Sequence, residues 1–160
     1  MDTLPLLKRD ILVSIRPTYA TKILDGQKTV ELRRKFPEAS AVGAMILIYS
    51  TSPVQAIVGY ARIKNVLRLP VNQIWRDHGS AACIAREDFD TYFDGLGYGF
   101  AILLEDVQAL DRHRKAAELR NEFGFVPPQS FRYLDKGHTS FLLSDEQLQN
   151  SYRHQCRHRP

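Results

Sequence analysis

The stretch Ile11-Leu12-Val13-Ser14-Ile15-Arg16-Pro17-Thr18-Tyr19-Ala20-Thr21-Lys22-Ile23-Leu24-Asp25-Gly26-Gln27-Lys28-Thr29-Val30-Glu31-Leu32-Arg33-Arg34 reads as strand, short helix and strand. Ile11 to Arg16 is apolar and β-branched and stops at Pro17, a residue suited to the first position of a helix. Tyr19, Ala20, Ile23 and Leu24 then share one helical face, and Gly26 is placed to take the left-handed conformation that ends the helix. From Lys28 to Arg34 the pattern alternates, with Val30 and Leu32 on one face and Thr29, Glu31 and Arg33 on the other, as in a half-buried strand.

Further along, Ala44 to Tyr49 and Ala56 to Ile63 are apolar strands separated by the turn-forming Ser50-Thr51-Ser52-Pro53, which predicts a hairpin. Helices are expected at Val71 to His78, Glu87 to Asp94 and Lys115 to Phe123, each followed or closed by a glycine, with a strand at Gly99 to Val107. Pro127-Pro128 enforces an extended segment. Ser144 and Gln147 fit a capping box, but the helix they would start is polar and weakly held. With no repeat or long linker, the expected architecture is α+β: one small mixed sheet, barrel-like, with short helices around it.

A chain of 160 residues, 44% hydrophobic and 25% charged, is long enough to bury a core without a disulfide framework or a structural metal. Its two cysteines, Cys83 and Cys156, are far apart in sequence and its start lacks a signal-peptide profile, so a cytoplasmic location is expected. The longest apolar run, Ala41 to Tyr49, is too short to cross a bilayer as a helix. The overall charge of +4 is unevenly divided: −1 over residues 1–7, +7 over residues 8–68, −5 over residues 69–150 and +3 over the last ten. A basic first half points to an anionic partner.

The opening motif, from Ser14-Ile15-Arg16-Pro17 through Gly26 to Glu31-Leu32-Arg33-Arg34, resembles that of ASCH domains, which are PUA-like β-barrels. Three later stretches resemble a longer bacterial and archaeal subgroup described as predicted transcriptional regulators. They are Val58-Gly59-Tyr60-Ala61-Arg62-Ile63, Glu87-Asp88-Phe89-x-x-Tyr92-Phe93-x-Gly95 and Pro127-Pro128-Gln129-Ser130-Phe131-Arg132-Tyr133-Leu134. The resemblance runs from about Ile11 to Leu134, and the expected organisation is a single domain over residues 1–143 followed by the weak helix and basic tail of residues 144–160. The resemblance implies RNA as partner, with roles in the family spanning RNA binding, coactivation, ribonuclease action and deacetylation of modified cytidine.

The predicted cleft carries Arg16, Lys28, Thr29, Glu31, Arg33 and Arg34. Glu31 and Arg33 point the same way along the strand, so the carboxylate would orient the guanidinium toward phosphate or a base edge; an edge-strand ion pair is the other reading. Lys28 and Glu31 are the nearest proton-transfer pair should the protein be a hydrolase. Relatives that hydrolyse acetylated cytidine carry a threonine three positions after the lysine, where this chain has Glu31. A neighbouring carboxylate favours the charged lysine and weighs against that chemistry.

Tyr49, Ser50 and Thr51 end a strand where hydroxyls can donate to a ligand, and Tyr19 or Tyr49 could stack on a base. Trp75, Phe89, Tyr92, Phe93, Tyr98 and Phe100 are expected to be mostly core. After the rigid diproline, Gln129, Ser130 and Arg132 either face a ligand while Phe131 and Tyr133 pack inward, or belong to a closing segment that seals the barrel. His154-x-Cys156-x-His158 does not match zinc spacings, so neither metal nor cofactor is expected; its arginines suit phosphate contacts. Cys83 is expected to be buried and inert. The leading reading is a module that recognises single-stranded or modified RNA in a polar cleft and serves regulation. An RNA- or nucleoside-processing hydrolase and a protein-interaction regulator are the alternatives.

Overall fold

A computed structural model describes residues 9–135 together with Thr139, Leu142 and Leu143. The expected weak helix and basic tail lie outside the described residues. Six strands and four helices follow in the order β1 (Asp10–Ile15), α1 (Pro17–Leu24), β2 (Val30–Arg33), β3 (Met45–Ser50), β4 (Ala56–Pro70), α2 (Val71–His78), α3 (Arg86–Tyr92), β5 (Tyr98–Lys115), α4 (Ala116–Phe123) and β6 (Phe131–Leu134). A 3-10 turn, Ala39–Ala41, precedes β3.

The strands form one mixed sheet in the order β2-β5-β4-β3-β1-β6. Only β1 and β3 run parallel; the remaining pairs are antiparallel. The expected hairpin joins β3 to β4. Among the described residues no backbone ladder joins β2 to β6, so the sheet is open and the expected closed barrel is not seen. The sheet nevertheless curls until its ends meet through side chains, because Phe36, just past β2, packs on Phe131 of β6 with ring centroids 5.2 Å apart.

Alternation along each strand sorts residues between the two faces. Ile11, Val13 and Ile15 of β1, Ile46 and Ile48 of β3, Val58 of β4 and Ile102 of β5 fill the concave side, which α1 closes with Ala20 and Ile23. On the other face Leu12, Leu47, Tyr49 and Ile57 pack under Leu119 of α4 and under Phe125. A third cluster sets Val30 and Leu32 of β2 against Ile74 of α2 and Phe89 of α3. Thus β2 shows hydrocarbon to the helices, while Glu31 and Arg33, paired in register with Ile102 and Phe100, face the concave side.

Two glycines hold this arrangement. Gly26, at φ +85°, turns the chain out of α1, and its N–H donates to the Ile23 carbonyl at 3.1 Å. At Gly59 a Cβ would lie 2.5 Å from the carbonyl oxygen of Gln108 and would also collide with Leu24, so only hydrogen lets β4, β5 and α1 approach.

Candidate functional site

Lys28 lies in the short connection between α1 and β2, which is held from outside by the loop after α2. The N–H groups of Thr29 and Val30 both donate to the Ala81 carbonyl, and the Cys83 thiol donates to the Gln27 carbonyl at 3.2 Å. Cys83 is half-buried rather than fully enclosed and has φ +53°. With the backbone fixed this way, the Lys28 side chain runs inward and its Nζ donates to the Ala82 carbonyl at 2.6 Å. It also lies 3.5 Å from Glu31 Oε2 and 5.1 Å from the centre of the Tyr19 ring.

Glu31 is shared. Its Oε1 is 3.2 Å from Arg33 Nε, close enough for an ion pair although the N–H is misaligned for a hydrogen bond. Arg33 reaches across the sheet gap: Nη2 donates to the Ser14 carbonyl at 2.9 Å and Nη1 to Ser130 Oγ at 3.3 Å. Lys28, Glu31 and Arg33 are only 3%, 7% and 7% exposed, so the expected half-buried strand with a solvated polar face is corrected to a strand buried on both sides. The cost of burying these charges is offset by their mutual pairing and by backbone carbonyls. Burial pushes the Lys28 ammonium below its usual pKa, against the opposing pull of Glu31.

These groups line an open cleft of about 440 Å³. One wall is the end of the sheet, with Ser14, Ile15, Arg16, Thr51 and Gln129; the other is Ile84 with Asp88, Thr91 and Tyr92 of α3. Ser14 Oγ donates to the Pro128 carbonyl at 2.6 Å, fixing the diproline segment beside β1, and the Tyr92 hydroxyl donates to the Leu32 carbonyl at 3.2 Å. Burial holds the phenols of Tyr19 and Tyr92 above their ordinary pKa, with the Asp88 carboxylate adding to the effect at Tyr19.

Of the residues singled out from sequence, Arg16, Lys28, Glu31, Arg33 and Gln129 meet in the cleft, and Ser130 stands behind Arg33. Thr29 and Arg34 are exposed outside it. Tyr49 faces the opposite side of the sheet, its ring 6.0 Å from that of Phe125, because it shares the parity of Leu47. Arg132 lies over Phe125 on that same side, 5.4 Å from the ring centroid. Ser50 is buried, and the next residue, Thr51, lines the cleft in its place. Phe89 and Phe93 are core as expected, whereas Tyr98 is half exposed.

Asp88, Thr91 and Tyr92 were not singled out as site residues. Their signal was present in the 3- and 4-residue spacing that puts them on one face of a helix whose other face carries Phe89 and Phe93. Among the described residues no group of three or more His, Cys, Asp or Glu could hold a metal ion, and no helix is long and apolar enough to cross a membrane.

The family model of the ASCH domain matches residues 13–129, a span that contains the whole cleft. The chain belongs to the ASCH domain family. This ASCH domain is 34% identical over 138 residues to the ASCH domain-containing ribonuclease of Zymomonas mobilis, covering 86% of this chain and 92% of the relative. The crystal structure of ASCH from Zymomonas mobilis superposes with a TM-score of 0.77 at 34% identity, covering 82% of this chain and 92% of that one. The N-terminal domain of Staphylothermus marinus McrB shares the fold at 13% identity, with a TM-score of 0.54 over 89% of this chain and 97% of that one.

Proposed function

We propose that this ASCH domain recognises RNA, taking one nucleotide of a single-stranded or modified segment into the cleft, in a regulatory role of the kind ascribed to the longer subgroup and in the cytoplasm. The observation that carries this reading is the composition of the cleft: a buried Lys28-Glu31-Arg33 floor between Tyr19 and Tyr92 in a volume of about 440 Å³. Such a site offers aromatic surface to a planar base and a few fixed polar groups to its edge. On the same reading, the curled sheet clasped by Arg33 is an open form of the PUA-like barrel.

A second reading, RNA hydrolysis, is favoured by one specific pair. Lys28, with its pKa lowered by burial, lies 3.5 Å from Glu31, and the relative from Zymomonas mobilis is named a ribonuclease. A lysine that gives up its proton more readily than usual can serve as a general base. The deciding experiment incubates the protein with labelled RNA, DNA and acetylated cytidine and assays retention and product separately. Retention of RNA without product supports the binder. Product that disappears in Lys28→Ala or Glu31→Gln, by roughly a hundredfold with retention kept, establishes the hydrolase. Neither retention nor product points to a protein-interaction module.

A further inference from the structure

The three cations that line the cleft are not equivalent. Lys28 is bound to the Ala82 carbonyl and paired with Glu31. Arg33 spends its Nη groups on Ser14 and Ser130 and sets its Nε against Glu31. Both are more than nine-tenths buried, share the one Glu31 carboxylate and are held by backbone carbonyl oxygens. Arg16 is the exposed one, and among the described residues it alone of the three has a guanidinium or ammonium without an ion-pair partner.

The position of Arg16 is rigid. It follows the last residue of β1, its carbonyl accepts the N–H groups of Tyr19 and Ala20 at 3.0 and 2.9 Å, and Pro17 fixes the next step of the chain. Thr51 and Gln129 flank it. The Thr51 N–H donates to the Ile15 carbonyl and the Ser14 N–H to the Ser130 carbonyl, each at 2.9 Å, so the ends of β1 and β3 and the entry to β6 form one continuous rim. Across β2 the other wall carries the Asp88 carboxylate, while Asp90 of the same helix is paired with Arg86 at 3.1 Å. A phosphodiester is therefore attracted to one wall and repelled by the other.

We infer that the ligand enters as a phosphodiester strand lying along the β1-β3-β6 rim. Arg16 binds its phosphate, Thr51 and Gln129 offer neutral polar contacts beside it, and the α3 wall faces the base and sugar. This assigns the phosphate contact to Arg16 rather than to Arg33, and makes the ligand a nucleotide within a strand rather than a free nucleoside. The inference rests on the reading of the cleft as an RNA site.

The test is a salt titration with a labelled single-stranded RNA decamer. Arg16→Gln should weaken binding about tenfold at low salt and reduce the slope of log K against log salt by about 0.7, the value for one phosphate on a single strand. Arg16→Lys should recover most of the slope, because it keeps the charge. Asp88→Asn should strengthen binding severalfold. Arg34→Gln, outside the cleft, should leave the slope nearly as it was.

An unchanged slope in Arg16→Gln, a slope lost in Arg34→Gln instead, or a tenfold weakening in Asp88→Asn would each overturn the inference while leaving an RNA site in place. Absence of decamer binding by the unaltered protein at low salt would remove the RNA reading itself, and this inference with it. Arg16 is exposed, so these variants are expected to fold, and their melting temperatures should match that of the unaltered protein.

Discussion

Arg33 Nη2 donates to the carbonyl oxygen of Ser14 at 2.9 Å, joining β2, the first strand in sheet order, to β1, the fifth. A ladder closed in the usual way distributes that task over many backbone bonds. Here one guanidinium spans the gap, and its third contact, to Glu31, fixes the carboxylate in the cleft floor.

Removing this clasp should therefore be expensive. Arg33→Ala would leave Glu31 buried with one cation fewer and the Ser14 carbonyl without its side-chain donor, at a cost of roughly 3 kcal/mol. Arg33→Lys should recover only part of it, since an ammonium cannot hold three directions in one plane. Urea unfolding of the two variants checks both values.

The lowered pKa of Lys28 makes stability depend on alkaline pH. Between that lowered value and the usual 10.5, the unfolded chain binds more protons than the folded one, so Lys28 contributes stability that grows as pH rises through this window. In Lys28→Met the contribution is absent. The melting temperature of the unaltered protein relative to Lys28→Met should rise from pH 7 to pH 10; a constant difference would show that burial does not penalise the ammonium.

Gly59→Ala tests the close approach of α1, β4 and β5. Leu24 can rotate away from an added methyl, but the Gln108 carbonyl belongs to the backbone and yields only if the strand moves. A loss of about 2 kcal/mol is expected, read as a lower urea midpoint with an unchanged slope.

Residues 151–160 contain three arginines and no acid. Their deletion should weaken RNA retention, more so at low salt, and change the melting temperature by less than about 2 °C, because a polar tail has little apolar surface to add to a core.

Much of the fold was legible because local chemistry and tertiary demand agree. Val71 to His78 is helical from end to end as its pattern predicts, and Gly26 takes the expected left-handed φ, +85°. The strands β4 and β5 were read too short. Past Ile63 and Val107 they carry Lys64, Asn65, Arg68, Asp111, Arg112 and His113, all exposed, and bulges shift their register, so the alternation that identifies a strand is broken. The parallel pairing of β1 with β3 leaves no local signal. In the site, Glu31 and Arg33 were placed together correctly, but their burial could not be seen, since it comes from Ser14 and Ser130 at the far end of the sheet.

The Arg33 contact to Ser130 spans 97 positions, and the cleft draws on residues from Ser14 to Gln129. During synthesis the floor and the β1 and β3 parts of the rim emerge early and the β6 part late. A nascent chain that has not yet released Pro128 to Leu134 has a bare edge on β1, a guanidinium in β2 without its serine and no second flank beside Arg16. The cleft is thus complete only once the segment from Pro128 to Leu134 has been released and has paired with β1.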